Sequence, residues 1–343
     1  MIGSPLVIPV FIPHSGCPHQ CAFCNQNVLT GEKSRVPDAG RVAEIIQTYL
    51  ARSKPRSRVD VAFFGGNFLG LPPGRITDLM ESVQPFLDSG AVHGIRFSTR
   101  PDTVTKNRME QVAHYPIHLV ELGVQSMDDR VLARVKRGHT REDTCRAMDL
   151  LRAFEINAGV QIMVGLPEDT RDGVIQTTQI LAEMHPSTAR IYPVLVLKNT
   201  LLARWYHNGT YQPLTLDQAV EVTSQSCRMF TRSGVTVIRM GVQVSDPEMA
   251  ASVLAGPCHP AFGHLVHSRM MYQATVQKIE SSGAAQVSGI IRLRVHPSGE
   301  SRLRGHRNGN LLRLKSRFPK IDFRLEGDPA LGPDQVDIVR FPV

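Results

Sequence analysis

The chain has 343 residues, a net charge of +8 and 42% hydrophobic residues. This length accommodates one large domain of about 250 residues and a smaller one, and the composition excludes a disordered chain. The apolar run at residues 6–12 is too short to cross a bilayer, and Met1–Pro5 lacks the basic residues of a secretory signal. Because its six cysteines form no disulfide framework, we expect a cytoplasmic protein without membrane contact.

Strand-like and helix-like stretches alternate along the first 240 residues. The predicted strands are residues 6–12, 59–64, 94–98, 118–122, 157–164, 189–197 and 235–240. The predicted helices are residues 38–52, 72–87, 103–114, 128–136, 141–154, 170–185 and 216–233. Such alternation is typical of parallel β/α units, so the sequence predicts an α/β fold whose first six units form a partial barrel.

Chemically distinctive residues follow the first five predicted strands. In chain order they are three cysteines, Gly65-Gly66-Asn67, Thr99-Arg100-Pro101-Asp102, Gln125-Ser126 and Gly165-Leu166-Pro167. Parallel β/α barrels carry their active sites at the carboxyl ends of the strands. We therefore expect one cofactor to contact all five turns.

The first turn, residues 14–25, reads His-Ser-Gly-Cys-Pro-His-Gln-Cys-Ala-Phe-Cys-Asn. Its cysteines, Cys17, Cys21 and Cys24, have the spacing C-x3-C-x2-C, and soft thiolates suit an iron–sulfur cluster or zinc. A four-iron cluster on three cysteines leaves one iron free to bind a small molecule. Zinc with a histidine as fourth ligand is the alternative. The other cysteines are scattered and offer no obvious fourth ligand: Cys145, Cys227 and Cys258.

This loop resembles the cluster loop of radical S-adenosylmethionine (SAM) enzymes, and Phe23 matches their aromatic residue before the last cysteine. The resemblance implies a [4Fe–4S] cluster whose open iron chelates the amino and carboxylate groups of SAM. It implies cleavage of SAM to a 5′-deoxyadenosyl radical, driven by an electron donor such as flavodoxin or ferredoxin. It also implies a partial (β/α)6 barrel.

The other turns supply candidate cofactor contacts. Gly65-Gly66 resembles the family motif that binds the SAM amino group, with Asn67 where many relatives have Thr or Glu; the alternative is an ordinary tight turn. Gly165 lies in a turn that resembles the adenine-contacting turn. Glu121 lies in an apolar strand, where a buried carboxylate needs a partner, either SAM or a core cation such as Arg100. The remaining candidates for cofactor binding are Arg100, Gln125, Arg137 and Gln161. For Arg137 the alternative is an arginine in a surface loop.

A more particular resemblance is to the radical SAM core of Elongator subunit 3-type proteins, over roughly residues 6–245. It is carried by residues 120–126, 137–140, 161–167 and 190–212. It implies an action on the wobble uridine of tRNA. Tyr192, Lys198 and Thr200 are candidates for the substrate side of the pocket, and Tyr192 and Lys198 are the candidate catalytic residues among them. Elongator-type enzymes also carry an acetyltransferase domain. Because no acetyl-CoA phosphate loop is recognised after residue 245, we expect the core to act on another group or RNA site.

The predicted domains are a core at 1–245, which includes an extension at 185–245, and a small basic α+β domain at 246–343. Residues 286–320 contain nine Lys and Arg residues against Glu300 alone, which favours a polyanionic partner such as RNA, unless this is simply a solvated face. A strand at 287–294, a glycine loop at 305–309, a helix at 310–318 and a strand at 321–325 are predicted here. They resemble a KH-type RNA module, with a G-x3-G loop in place of G-x-x-G.

Three functions follow from these observations. The first is a radical SAM enzyme that modifies RNA, most specifically tRNA. The second is a radical SAM enzyme that acts on a small molecule such as a porphyrinogen. The cysteine spacing and the Gly-Val-Gln-Ser stretch at 123–126 are similar to those of oxygen-independent coproporphyrinogen oxidase-like enzymes. The third is a zinc-stabilised RNA-binding protein without catalysis.

Overall fold

A computed structural model describes residues 5–12, 16–17, 20–25, 36–54, 56–242, 247–283 and 288–341. Seven parallel strands form its main sheet in the order β1-β2-β3-β4-β5-β6-β8, so the strands of this sheet follow one another in the same order as in the chain. These strands are β1 (Leu6–Ile12), β2 (Val59–Gly65), β3 (Gly94–Thr99), β4 (Ile117–Gln125), β5 (Ala158–Val164), β6 (Thr188–Pro193) and β8 (Thr236–Met240). A short antiparallel ribbon pairs β7 (Val196–Leu197) with β9 (Val253–Ala255).

Helices connect successive strands and pack on the sheet. They are α1 (Ala39–Arg52), α2 (Pro73–Glu81), α3 (Gln84–Asp88), α4 (Lys106–Val112), α5 (Asp129–Arg134), α6 (Arg141–Ala153), α7 (Arg171–Glu183), α8 (Leu201–His207), α9 (Leu216–Arg232), α10 (Pro247–Ser252) and α11 (Phe262–Ser281). One apolar core joins helix residues such as Val42 and Ile46 to strand residues such as Ile8 and Val61. The predicted partial β/α barrel is confirmed, with a seventh strand at its edge.

Two predicted elements are divided in the structure. The helix expected at 72–87 is α2 and α3, because Pro85, at the start of α3, has no N–H to continue the hydrogen bonding of α2. The strand expected at 189–197 ends at Pro193, and its last residues form β7, which pairs with the distant β9 and not with the sheet.

The C-terminal part has its own three-stranded sheet, in which β10 (Gly289–Val295) pairs parallel with β11 (Ile321–Gly327) and antiparallel with β12 (Val336–Phe341). Helices α12 (Glu300–Arg304) and α13 (Gly309–Arg317) follow β10. The predicted α+β character is confirmed, although β12 and α11 were not predicted. The predicted domain boundary at 245/246 lies outside the described residues and stays a prediction.

Helix α11 contacts both apolar cores. Phe262 and Val266 belong to the core of the main sheet, whereas Met271 and Ile279 belong to the core of the C-terminal sheet. No helix in the described part of the chain is both long enough and apolar enough to span a membrane.

Candidate active site

The five distinctive turns lie side by side at one edge of the main sheet. This follows from topology, because all the strands are parallel and their order in the sheet is their order in the chain. The last residue of β1, Ile12, is paired with Gly65 at the end of β2, so the cysteine loop begins beside the Gly-Gly turn. Likewise Ser98 on β3 is paired with Glu121 on β4, and Gln161 on β5 with Arg190 on β6.

Backbone hydrogen bonds attach the cysteine loop to two distant segments. The amide N of Ala22 donates to the carbonyl oxygen of Val135 over 2.9 Å, and the amide of Leu202 donates to the carbonyl of Ala22 over 2.8 Å. The Ala22 side chain is fully buried in a small apolar cluster, against which Phe23 packs. The centre of the C-x3-C-x2-C loop is therefore held between the segment after α5 and the start of α8.

The start of the same loop fits closely against the turn after β2. Gly16 has φ +75°, and a Cβ atom there would lie 2.3 Å from the carbonyl oxygen of Asn67. A Cβ on Gly70 would lie 2.2 Å from both the Gly16 oxygen and the Asn67 side-chain nitrogen. Only glycine permits this approach without displacing backbone. Gly16 and Gly70 were not predicted as site residues, although each is a glycine in or next to a predicted turn.

Asn67 connects three turns through one buried amide. Its Nδ2 donates to the Gly16 carbonyl over 2.7 Å. Its Oδ1 accepts from the hydroxyls of Thr99 (2.7 Å) and Thr103 (2.9 Å) and from the amide of Arg100 (3.0 Å). The Asn67 side chain is thus occupied with protein contacts, which indicates a positioning role for it. Its predicted direct contact with a cofactor stays a prediction, as do those of its neighbours Gly65 and Gly66.

Arg137 and Arg100 lie under the cysteine loop. Arg137 Nη1 donates to Cys21 Sγ over 3.4 Å, and its Nη2 donates to the Gly123 carbonyl over 2.7 Å. Arg100 Nη1 donates to the Arg137 carbonyl over 2.5 Å, while its other nitrogens form a bidentate pair with Asp102. The structure thus places Arg137 in contact with a predicted cluster ligand, and not on the surface. Arg100 supports it from below.

The thiols of the loop fit a positively charged metal group. Burial, with smaller contributions from Cys21 and Cys17, raises the pKa of the Cys24 thiol to about 12. Burial also raises the pKa of the Cys17 thiol, against the opposing effect of Arg137. Thiolates at these positions need strong positive charge, which iron bound to all three sulfurs supplies. The residues that would hold a [4Fe–4S] cluster are Cys17, Cys21 and Cys24.

A single metal ion is a different case. Within the described ranges, no three His, Cys, Asp or Glu side chains are gathered as a single-ion site requires. The histidines of the loop, His14 and His19, lie outside the described residues.

A second group of polar side chains lies on the concave inner side of the sheet, below the turns. We call this group the interior network; it comprises Arg96, Glu121, Gln161, Arg190 and Tyr192. Glu121 is 1% exposed. Its Oε1 accepts from Arg96 (3.2 Å) and Arg190 (2.8 Å), and its Oε2 accepts from Gln161 (3.2 Å) and is ion-paired with Arg190. Arg190 also donates to the Tyr192 hydroxyl over 3.3 Å.

This network bears on the two predicted environments of Glu121, and its contact with SAM stays a prediction. The core cations are Arg96 and Arg190, whereas Arg100 is paired with Asp102. Because donors already surround both carboxylate oxygens, the structure favours the core-cation interpretation over a contact with SAM. Arg96 was not among the predicted site residues. Arg96 lies two residues before Ser98, which is paired with Glu121, and so lies on the same face of β3. This spacing could have indicated that Arg96 reaches Glu121.

The remaining predicted residues lie at the turns, in the interior network and at a cleft beside the cysteine loop. Gln125 ends β4 with φ +71°, a strained conformation at the mouth of the site. Gly165 has φ +88°, and its carbonyl accepts from the buried Tyr211 hydroxyl over 2.7 Å. Tyr192 belongs to the interior network, and Lys198 lines a cleft of about 980 Å³ together with Cys21. The predicted roles of Lys198 and Tyr192 on the substrate side stay predictions.

Comparison with known proteins agrees with this geometry. A model of the radical SAM superfamily matches residues 11–181, and a model of the radical SAM C-terminal domain matches residues 186–272. The chain belongs to the radical SAM superfamily. Members of this superfamily bind a [4Fe–4S] cluster and SAM, which confirms the predicted cofactors.

Individual relatives cover parts of the chain. It is 25% identical over 230 residues to the tRNA uridine(34) acetyltransferase of Dehalococcoides mccartyi. This match covers 57% of this chain and 50% of that relative. It is 24% identical over 197 residues to the threonylcarbamoyladenosine tRNA methylthiotransferase MtaB of Rickettsia prowazekii, with 55% and 46% covered. The chain thus spans about half the length of these curated relatives.

Among solved structures, the archaeal Methanocaldococcus infernus Elp3 has a similar fold. The match has a TM-score of 0.62 at 20% identity and covers 82% of this chain and 64% of that one. The predicted resemblance to Elongator subunit 3-type proteins is confirmed at the level of the fold and of the curated relative.

Proposed function

We propose that this radical SAM enzyme modifies tRNA. The observation that carries the radical part of the proposal is the cysteine loop, whose Cys21 contacts Arg137 at the carboxyl edge of a partial barrel. When bound, the cluster and SAM supply a 5′-deoxyadenosyl radical that removes hydrogen from an unreactive carbon. The chain's own residues hold the loop in place through Asn67, Ala22 and Arg137 and line the interior below it.

The tRNA part is supported by the relatives, two of which are named for tRNA modification, and by a surface of the C-terminal domain.

In the basic stretch 286–320, five arginines are ion-paired with carboxylates: Arg292, Arg294, Arg302, Arg304 and Arg317. Four exposed cations around α13 have no ion pair within the described residues: Arg307, Arg313, Lys315 and Lys320. We call these four the α13 patch. RNA phosphates are the partner that such a patch attracts.

The radical function is tested by anaerobic reconstitution with iron and sulfide. The wild-type chain is expected to take up a four-iron cluster and, with dithionite and SAM, to release 5′-deoxyadenosine. Cys17→Ala, Cys21→Ala and Cys24→Ala should each lose both properties, whereas Cys258→Ala, an exposed cysteine elsewhere, should keep them. Zinc uptake without cleavage of SAM would refute the proposal.

The substrate is tested by nucleoside analysis of bulk tRNA from a strain that lacks this chain. A modified nucleoside should be absent and should return on complementation with the wild-type chain but not with Cys21→Ala. Unchanged tRNA, together with SAM cleavage that is stimulated by a small molecule such as a porphyrinogen, would contradict the tRNA proposal while leaving the radical chemistry intact.

A further inference from the structure

The interior network carries more positive than negative charge. Two guanidinium groups, those of Arg96 and Arg190, surround the single carboxylate of Glu121. The network therefore has a net charge of one positive unit in a mostly buried place. The Phe64 ring, whose centroid lies 5.1 Å from the Arg190 guanidinium, offsets part of this charge. An anion or water would compensate the rest.

Some donors of the network are also free to bind a ligand. Nε of Arg96 is buried and meets no hydrogen-bond acceptor among the residues that the structure describes. The Tyr192 hydroxyl accepts a hydrogen bond from Arg190, which leaves its own hydrogen available for donation. The side chains of Arg96 and Arg190 are 13% and 14% exposed, whereas Glu121 is 1% exposed. The cations are thus open to the barrel interior and the carboxylate is covered.

We propose that Arg96, Arg190 and Tyr192 bind the carboxylate of a small second substrate inside the barrel. A carboxylate carries one negative charge and so matches the excess of one positive charge, whereas a phosphate dianion would exceed it. The planar fork of arginine suits carboxylate geometry. This inference rests on the proposed radical function, because the ligand would lie beneath the reacting group.

The depth of the network distinguishes this ligand from SAM itself. Arg96 precedes Thr99, the last residue of β3, by three positions, which corresponds to about 10 Å along the strand. SAM is expected at the turns after the strands, beside the cysteine loop. The carboxylate bound by Arg96 would therefore belong to another molecule.

The test uses the cluster-loaded protein with saturating SAM at constant chloride concentration. The probes are propionate, its neutral amide propionamide, and inorganic phosphate, each titrated while the thermal unfolding midpoint is measured. Propionate should raise the midpoint, and propionamide should not. Arg96→Met should raise about tenfold the propionate concentration that gives half of the increase in the midpoint. The reason is that Arg190 is then needed to balance the charge of Glu121. Arg152→Met, which removes an exposed ion-paired arginine outside the barrel, should bind propionate like the wild type.

Several outcomes would overturn the proposal. They are equal stabilisation by propionamide, stronger stabilisation by phosphate, and an unchanged propionate effect in Arg96→Met. Weaker SAM binding in Arg96→Met, by equilibrium dialysis, would assign the site to the SAM carboxylate. If Arg96→Met fails to fold, Tyr192→Phe gives the same test with a smaller expected loss. Failure of the wild type to cleave SAM would refute the radical function alone, because propionate binding is measured separately.

Discussion

The Asn67 amide has four protein partners, on the cysteine loop and around the end of β3. Asn67→Ala would leave buried donors and acceptors unpaired, which costs about 3 kcal/mol of unfolding free energy. We expect this loss in denaturant unfolding, together with a lower iron content after reconstitution. Asn157→Ala, which removes one exposed hydrogen bond, serves as the control. Wild-type stability and iron content in Asn67→Ala would show that the amide is dispensable.

His139 makes folding sensitive to acid. Burial, followed by Arg137 and Arg100, lowers its pKa from 6.5 to about 3, and its Nε2 donates to the Val124 carbonyl over 3.2 Å. The unfolded chain therefore binds this proton first as the pH falls. The stabilisation of the folded state by neutral His139 is complete above pH 6.5 and is lost as the pH falls toward 3.

The expected loss through His139 is about 2 kcal/mol of unfolding free energy between pH 7 and pH 5. His139→Asn should remove this part of the pH dependence, as measured by urea unfolding at both pH values. His114→Asn, at an exposed histidine, should keep it. Identical slopes for wild type and His139→Asn would contradict the assignment.

Two glycines near the turn after β2 allow a matched comparison of local geometry. At Gly70 a Cβ would collide with the cysteine loop, whereas at Gly74, in the first turn of α2, it would meet nothing within 4 Å. Gly70→Ala should displace the loop and reduce cluster retention, measured as iron per chain after gel filtration. Gly74→Ala should retain the cluster and stabilise the fold by up to about 1 kcal/mol. Equal retention in both variants would mean that the close approach is not required.

Elements that connect distant parts of the chain were the hardest to predict. Helix α11 packs against both cores, and its side chains Arg269 and Gln273 hydrogen-bond to Glu221 on α9. Polar residues on a two-sided helix obscure the single apolar stripe on which sequence prediction depends. The strands of the main sheet were predicted because buried parallel strands are continuous apolar runs.

At the level of the whole molecule, the α13 patch predicts salt-sensitive RNA binding. Arg313→Ser with Lys315→Ser should weaken tRNA binding and make the dependence of log K on log salt shallower by about 1 per removed cation. The control, Arg292→Ser with Arg304→Ser, removes the same charge from ion-paired positions and should bind more like the wild type. Equal loss in both double variants would indicate that net charge, and not the patch, determines binding.

The sequence alone determined the chemistry at the mouth of the barrel. Three cysteines at close spacing, glycines at strand ends and alternating β/α units are local patterns, and parallel topology places the ends of all strands at one edge. Only the tertiary structure decided the partners of these residues. Contacts such as those of Glu121 with Arg190 and of Arg137 with Cys21 join residues 69 and 116 positions apart. Pairings at such separations depend on the register of the strands and on the paths of the loops, which no local sequence pattern specifies.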